Sequence, residues 1–292
     1  MRHHPPSESD RDSDADVVVR TRGLVKRFDD RTVLDGVELE VASGETMVVM
    51  GGSGSGKSTL LKLMIGTLRP EEGTVEVLGR DLSELDESEL DDIRKRLGVV
   101  FQSSALFNSM TVGENVALPL REHTSLDERT IDIMVRIKLE QVGMREAADL
   151  MPAQISGGMK KRAGLARAIA LDPEILFHDE PSAGLDPVTS AQIDRLIMSL
   201  GKALGITNIV VTHEMDSAFR IADRMALLDS GRMLKVAPRA EFEAIRDGDA
   251  TGEVTHDLIR QFLRGDHEGP LTDRRIGDDY EKDILRAAEG RL

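Results

Sequence analysis

The chain reads as an α/β fold built around a largely parallel sheet, and three observations point there. Short β-branched runs recur along it, several of them apolar throughout, as in strands covered on both faces. Helical stretches separate these runs, the arrangement of βαβ units. One strand runs straight into a glycine-rich turn and then a helix, TMVVM followed by GGSGSGKST at 46–59. At 292 residues the chain can bury a substantial core, as one large domain with appendages or as two smaller ones.

In chain order, residues 1–16 are polar, acidic and proline-bearing, and are expected to be a disordered acidic leader. Strands are predicted at 17–20, 37–41, 46–50, 74–78, 98–101, 174–179, 208–213 and 224–228. Helices are predicted at 57–68, 129–142, 157–171 and 189–204, and residues 103 to about 155 lack a convincing strand and read as a helical insert. The acidic run DLSELDESELDD at 81–92 fits a solvated helix or loop face. After about residue 240 the pattern is helical again, with Val254, Leu258, Ile259, Phe262 and Leu263 on one face and Tyr280, Ile284, Leu285 and Ala288 on another. The predicted division is therefore a leader at 1–16, a main domain at 17–240 and a helical extension at 241–292.

Composition narrows the chemistry. Against 38 lysines and arginines stand 53 aspartates and glutamates, a formal charge of -15 that disfavours direct binding to nucleic acid or anionic lipid. There is no cysteine, which excludes disulfides and thiolate chemistry and suits a reducing compartment. No apolar run approaches the ~18 to 20 residues that span a bilayer, and the first residues lack the apolar stretch of a signal peptide. The expectation is a soluble chain that meets a membrane only through a partner.

The stretch 51–58 fills the pattern G-x-x-x-x-G-K-[ST] with Gly51, Gly56, Lys57 and Ser58. Such a loop turns successive backbone N–H groups onto phosphate oxygens at the positive end of the following helix. Gly51, Gly52, Ser53, Gly54, Ser55, Gly56 and Thr59 are read as the cradle, Lys57 as the cation reaching the β and γ phosphates, and Ser58 as a hydroxyl ligand for Mg²⁺. The buried-type strand ILFHDE at 175–180 ends in Asp179, suited to holding the metal through water. Glu180 follows, placed to polarise an attacking water. Gln102 and His213 end two further strands, at the carboxyl edge where open α/β sheets bind ligands. Gln102 is assigned to sense Mg²⁺ and the water, and His213 to hydrogen-bond the γ-phosphate. His178, inside its strand, is expected to be a packed, neutral histidine.

A second glycine turn, ISGGM at 155–159, opens a basic, alanine-rich helix. Ser156 can cap that helix, and Gly157 and Gly158 permit close approach to its backbone. These pieces in this order resemble the ATP-binding-cassette ATPases over residues 17–235, with Walker A at 51–58, a Q-loop at Gln102, the signature at 155–159, Walker B at 175–180, a D-loop SAGLD at 182–186 and a switch histidine at His213. The resemblance implies a P-loop NTPase fold of the ABC nucleotide-binding type. Its helical subdomain, about 103–170, is inserted between Q-loop and signature, and a C-terminal helical tail follows. It also implies ATP hydrolysis in a head-to-tail homodimer. Ser156, Gly157 and Gly158 of one copy, with the D-loop Asp186, then face the nucleotide held by the other. Phe28 matches the family's adenine-stacking position.

The family usually reads LSGGQ, so Met159 is a departure. With FQSSALFNSMTVGENVALPLREHT at 101–124 and LIRQFLRGDHEGPL at 258–271, it is similar to the MlaF-type branch of bacterial lipid transport. That likeness implies an MlaE-type integral permease and MCE-domain proteins as partners. Some relatives also bind a STAS-domain subunit. The implied location is the cytoplasmic face of the cell membrane, held there by the permease. An importer ATPase for amino acids or another small polar solute shares every ATP motif. A DNA-repair or translation cassette fits poorly, because the chain has neither a second cassette nor a long coiled coil.

Overall fold

The computed structural model describes residues 17–271, so the predicted leader and the helix expected at 280–288 lie outside the described residues. The chain divides into two compact units between Val236 and Ala237.

The first unit opens with β1 (Val17–Phe28) and β2 (Arg31–Ala42), joined by a tight turn in which Asp29 takes φ +50°. They pair antiparallel, and β4 (Glu72–Val77) joins the other edge of β1, followed by β5 (Arg80–Asp81). These early strands thus form an antiparallel sheet beside the largely parallel one. A parallel pair needs a crossover of about a dozen residues, and a two-residue connection permits only a hairpin. In β2 the buried positions Leu34, Val37, Leu39 and Val41 mark a strand with one face on the core and one in water.

The second sheet has the order β10-β9-β3-β8-β7-β6, made of β3 (Thr46–Met50), β6 (Leu97–Val100), β7 (Ile175–Asp179), β8 (Thr207–Thr212), β9 (Arg224–Asp229) and β10 (Arg232–Pro238). The pairs β3/β8, β3/β9, β6/β7 and β7/β8 are parallel. Its two faces bury different cores. Ile175 and Phe177 point into the cluster formed with the antiparallel sheet and α1 (Lys57–Met64), while Leu176 between them joins the helical side. That alternation explains why β7 is apolar on both faces over Ile175, Leu176 and Phe177.

The insert predicted at 103–155 is helical. It contains α3 (Val112–His123) and α4 (Glu128–Gln141), and α5 (Gly157–Ala168) packs against both. Thr111 and Glu114 form a capping box at α3, and Asp127 caps α4. The acidic run forms part of α2 (Glu87–Lys95), where Asp86 and Glu89 make a second capping box. Those carboxylates therefore terminate a helix, while Leu82, Leu85 and Leu90 between them are buried. Two more helices complete this unit, α6 (Pro187–Leu204) and α7 (Met215–Ile221), locked together by Asp194 of α6, which accepts from Ser217 and Arg220.

The second unit contains α8 (Arg239–Asp247) and α9 (Val254–Arg264), packed on each other with Leu258, Ile259 and Leu263 buried. Among the described residues no helix is long and apolar enough to cross a membrane.

Candidate functional site

All parallel strands of the six-stranded sheet end on one edge, and the polar residues just past those ends form the site. Beyond β3 the chain turns through 51–56 with Gly54 at φ +77° and Gly56 at φ +109°. A Cβ on Gly51 would stand 2.2 Å from Leu228 O, and one on Gly56 would stand 2.6 Å from Leu34 Cδ2. The loop is thus pressed against β9 and β2 and leaves its other side open, with Ser53, Gly54 and Ser58 exposed. Helix α1 has no side-chain cap, so its first backbone N–H groups are available to an anion. Lys57 is buried and donates to Gly51 O (2.7 Å) and Gly52 O (2.9 Å). Burial holds its ammonium below the usual lysine range, against the pull of Glu180 and Asp179.

At the end of β7, Asp179 Oδ1 accepts from Ser58 Oγ at 3.4 Å. Burial raises the Asp179 carboxyl above the ordinary range, and the neighbouring Glu180 raises it further. A cation between Ser58 and Asp179 would reverse that penalty, and the two hard oxygen donors suit Mg²⁺.

Glu180 has a non-glycine backbone at φ +48°, a conformation costing on the order of 1–3 kcal/mol that persists only where surroundings impose it. Here they do. Its N–H donates to Val211 O, Oε2 accepts from Thr212 Oγ1 (3.0 Å) and from the His213 backbone N–H (3.3 Å), and Oε1 meets His213 Nδ1 at 2.7 Å. The carboxylate is 9% exposed, aimed by the end of β8.

Gln102 lies just beyond β6, exposed, with its backbone carbonyl accepting from Lys161 Nζ at 2.6 Å. Phe28 is 44% exposed at the end of β1, with Lys26 Nζ 5.2 Å from its ring centroid. His178 is fully buried. Its Nε2 faces Asn208 Oδ1 at 3.0 Å, so that nitrogen carries the proton, and burial pushes its pKa down to about 4.

The structure brings Ser58, Asp179, Glu180 and His213 together beside Lys57. It does not bring the second glycine turn to them: among the described residues no hydrogen bond joins Ser156, Gly157, Gly158 or Asp186 to residues 51–59. Ser156 Oγ caps α5 by accepting from Met159 N–H, while Asp186 caps α6, which with the Thr189 hydroxyl holds its carboxyl below the usual range. Three contributors were not picked out from the sequence: Thr212, Lys161 and Glu214, whose carboxylate accepts from the D-loop Ser182 hydroxyl at 2.8 Å. Thr212 was detectable as the residue before His213, but the other two depend on contacts between distant segments.

Residues 34–183 match the ABC transporter family. The chain is 40% identical over 270 residues to the intermembrane phospholipid transport system ATP-binding protein MlaF of Haemophilus influenzae, covering 92% of this chain and 98% of that protein. It is 41% identical over 273 residues to the probable ribonucleotide transport ATP-binding protein mkl of Mycobacterium leprae, covering 94% of this chain and 75% of that one. Among solved structures, the dimeric post-hydrolysis form of the ATP-binding cassette MJ0796, bound to ADP and Pi, superposes with a TM-score of 0.70 at 31% identity, covering 76% of this chain and 98% of that one.

Proposed function

The chain belongs to the ABC transporter family and is an ATPase, and we propose that it drives phospholipid transport together with an MlaE-type permease and MCE-domain proteins. One observation carries the phospholipid reading: 40% identity to the phospholipid-system protein MlaF runs over 98% of that protein's length. The departure at Met159 agrees with it. Met159 is half-buried against the helical-side core, so this position of the signature contributes to packing.

In this reading ATP lies on residues 51–59, with Lys57 released from Gly51 O and Gly52 O to the phosphates and Phe28 beneath the base. Ser58 and Asp179, assisted by Gln102, hold Mg²⁺, which when bound neutralises charge on the β and γ phosphates. Glu180 accepts the proton of the attacking water. His213 exchanges Glu180 Oε1 for the γ-phosphate, which frees that oxygen for the water. Ser156, Gly157 and Gly158 come from a second copy, so the catalytic unit is a homodimer with two sandwiched nucleotides. The dimer sits at the cytoplasmic membrane face, held by the permease.

The test is purification of the full chain with its associated proteins from detergent-solubilised membranes, followed by mass spectrometry and lipid analysis. An integral permease, an MCE-domain protein and bound phospholipid are expected. A second reading, transport of a small polar solute, is favoured by the 41% identity to the ribonucleotide-transport relative. A permease recovered without MCE protein or phospholipid would support it and overturn the first.

A further inference from the structure

Lys161, on α5, is 6% exposed, and nothing in the reaction described so far employs it. Its Nζ donates to two main-chain carbonyls, Gln102 O at 2.6 Å and Glu180 O at 3.2 Å. Burying an ammonium is costly, and here burial lowers its proton affinity despite the carboxylates of Glu214, Glu180 and Asp179 nearby. A glutamine or alanine at this position would avoid that cost, so the cation has to be explained by what it holds.

It holds two strained places at once. Glu180 is left-handed at φ +48°, and so are Ser104 (φ +61°) and Ala105 (φ +46°) just after Gln102. A second cation of the same helix, Arg167, donates to Ser104 O (2.9 Å) and Ala105 O (2.8 Å), while a Cβ on Gly164 would press on Ser104 at 3.2 Å. One face of α5 therefore grips the segment 102–105, and Lys161 alone extends that grip to Glu180.

We propose that Lys161 is a positioning residue for ATP hydrolysis: from the helix that begins with Ser156, Gly157 and Gly158 it fixes the backbones of Gln102 and Glu180 together, so that Glu180 is aligned only while that helix is seated. The inference rests on the assignment of Glu180 as the water-polarising carboxylate. It gives that site a regulator, because the start of α5 is the part that meets the second copy's nucleotide. Docking of the partner nucleotide is then felt at this chain's own Glu180 through one side chain.

The test compares wild type, Lys161→Met, Lys161→Arg and Glu180→Gln for kcat, KM for ATP and thermal midpoint. Lys161→Met is expected to lower kcat roughly tenfold with KM changed by less than about twofold and the midpoint retained, since alignment acts in the transition state and not in ground-state binding. Lys161→Arg, which can still donate to both carbonyls, is expected to recover most of kcat. Unchanged kcat in Lys161→Met, or kcat, KM and midpoint falling together without rescue by arginine, overturns the proposal. If Lys161→Met does not fold, Lys161→Gln is measured against the same criteria, its single amide reaching one carbonyl. Full turnover in Glu180→Gln would instead overturn the assignment of Glu180.

Discussion

Two side chains two residues apart in β7 and its end, His178 and Glu180, show how differently one strand treats titratable groups. Glu180 leaves the sheet in a strained left-handed conformation and gathers Thr212 and His213 around its carboxylate. Glu180→Gln keeps size and polarity but cannot take a proton from water. It should bind ATP, form the dimer and lose turnover by about a hundredfold or more, measured as phosphate release beside nucleotide binding. His178 points into the protein and stays neutral. Its folded pKa of about 4 lies below the ordinary value of 6.5, so the unfolded chain binds a proton that the folded one refuses. The stability this contributes is fully present above pH 6.5 and is lost as pH falls from there through 4, approaching about 3 kcal/mol at about 1.36 kcal/mol per pH unit. Urea unfolding between pH 7 and 4 should show this decline, and His178→Leu should flatten it. That variant should also be less stable at neutral pH, where Asn208 Oδ1 loses its partner.

At the scale of elements, the paired glycines that open α5 separate into two roles that sequence alone joins. A Cβ on Gly158 would stand 2.6 Å from Thr189 Cγ2, and Thr189 cannot turn away without leaving Asp186. A Cβ on Gly157 would meet only Leu185 Cδ2, at 3.6 Å. Gly158→Ala should therefore destabilise the fold by about 1–3 kcal/mol through overpacking. Gly157→Ala should hold or slightly raise stability, by up to about 1 kcal/mol of helix propensity, yet lower ATPase activity if the partner's phosphate approaches there. Thermal midpoint and phosphate release, measured on both variants, separate the roles. Helix starts were legible where capping is local: Ser156 stands directly before the helix it caps. The pairing of β4 with β1 was not, because apolar runs do not say which edge they join; for β1 and β2 the two-residue connection decides it.

For the whole molecule, no hydrogen bond among the described residues joins the phosphate loop to the second glycine turn, and the proposed site shared by two copies has a direct test. Ser156→Arg places a long cation where the partner's phosphate would enter. ATP binding by the single chain should persist while hydrolysis that rises with protein concentration disappears, seen by light scattering together with phosphate release. Retention of that concentration dependence would remove the shared-site reading. In the proposed dimer the acidic chain, at a formal -15, would make this geometry demanding, since two like-charged copies would have to meet around anionic nucleotides. What the sequence by itself determined were the features written in consecutive residues: the glycine loop with its lysine, the strand-end carboxylates Asp179 and Glu180, the signature turn and the helical insert. Their spacing encodes backbone turns and caps directly. Only the tertiary structure decided that β4 pairs with β1 in a separate antiparallel sheet, that Gly158 makes room for Thr189, and that Lys161 joins Gln102 to Glu180. Those depend on contacts between segments far apart in the chain, which local propensity and periodicity do not carry.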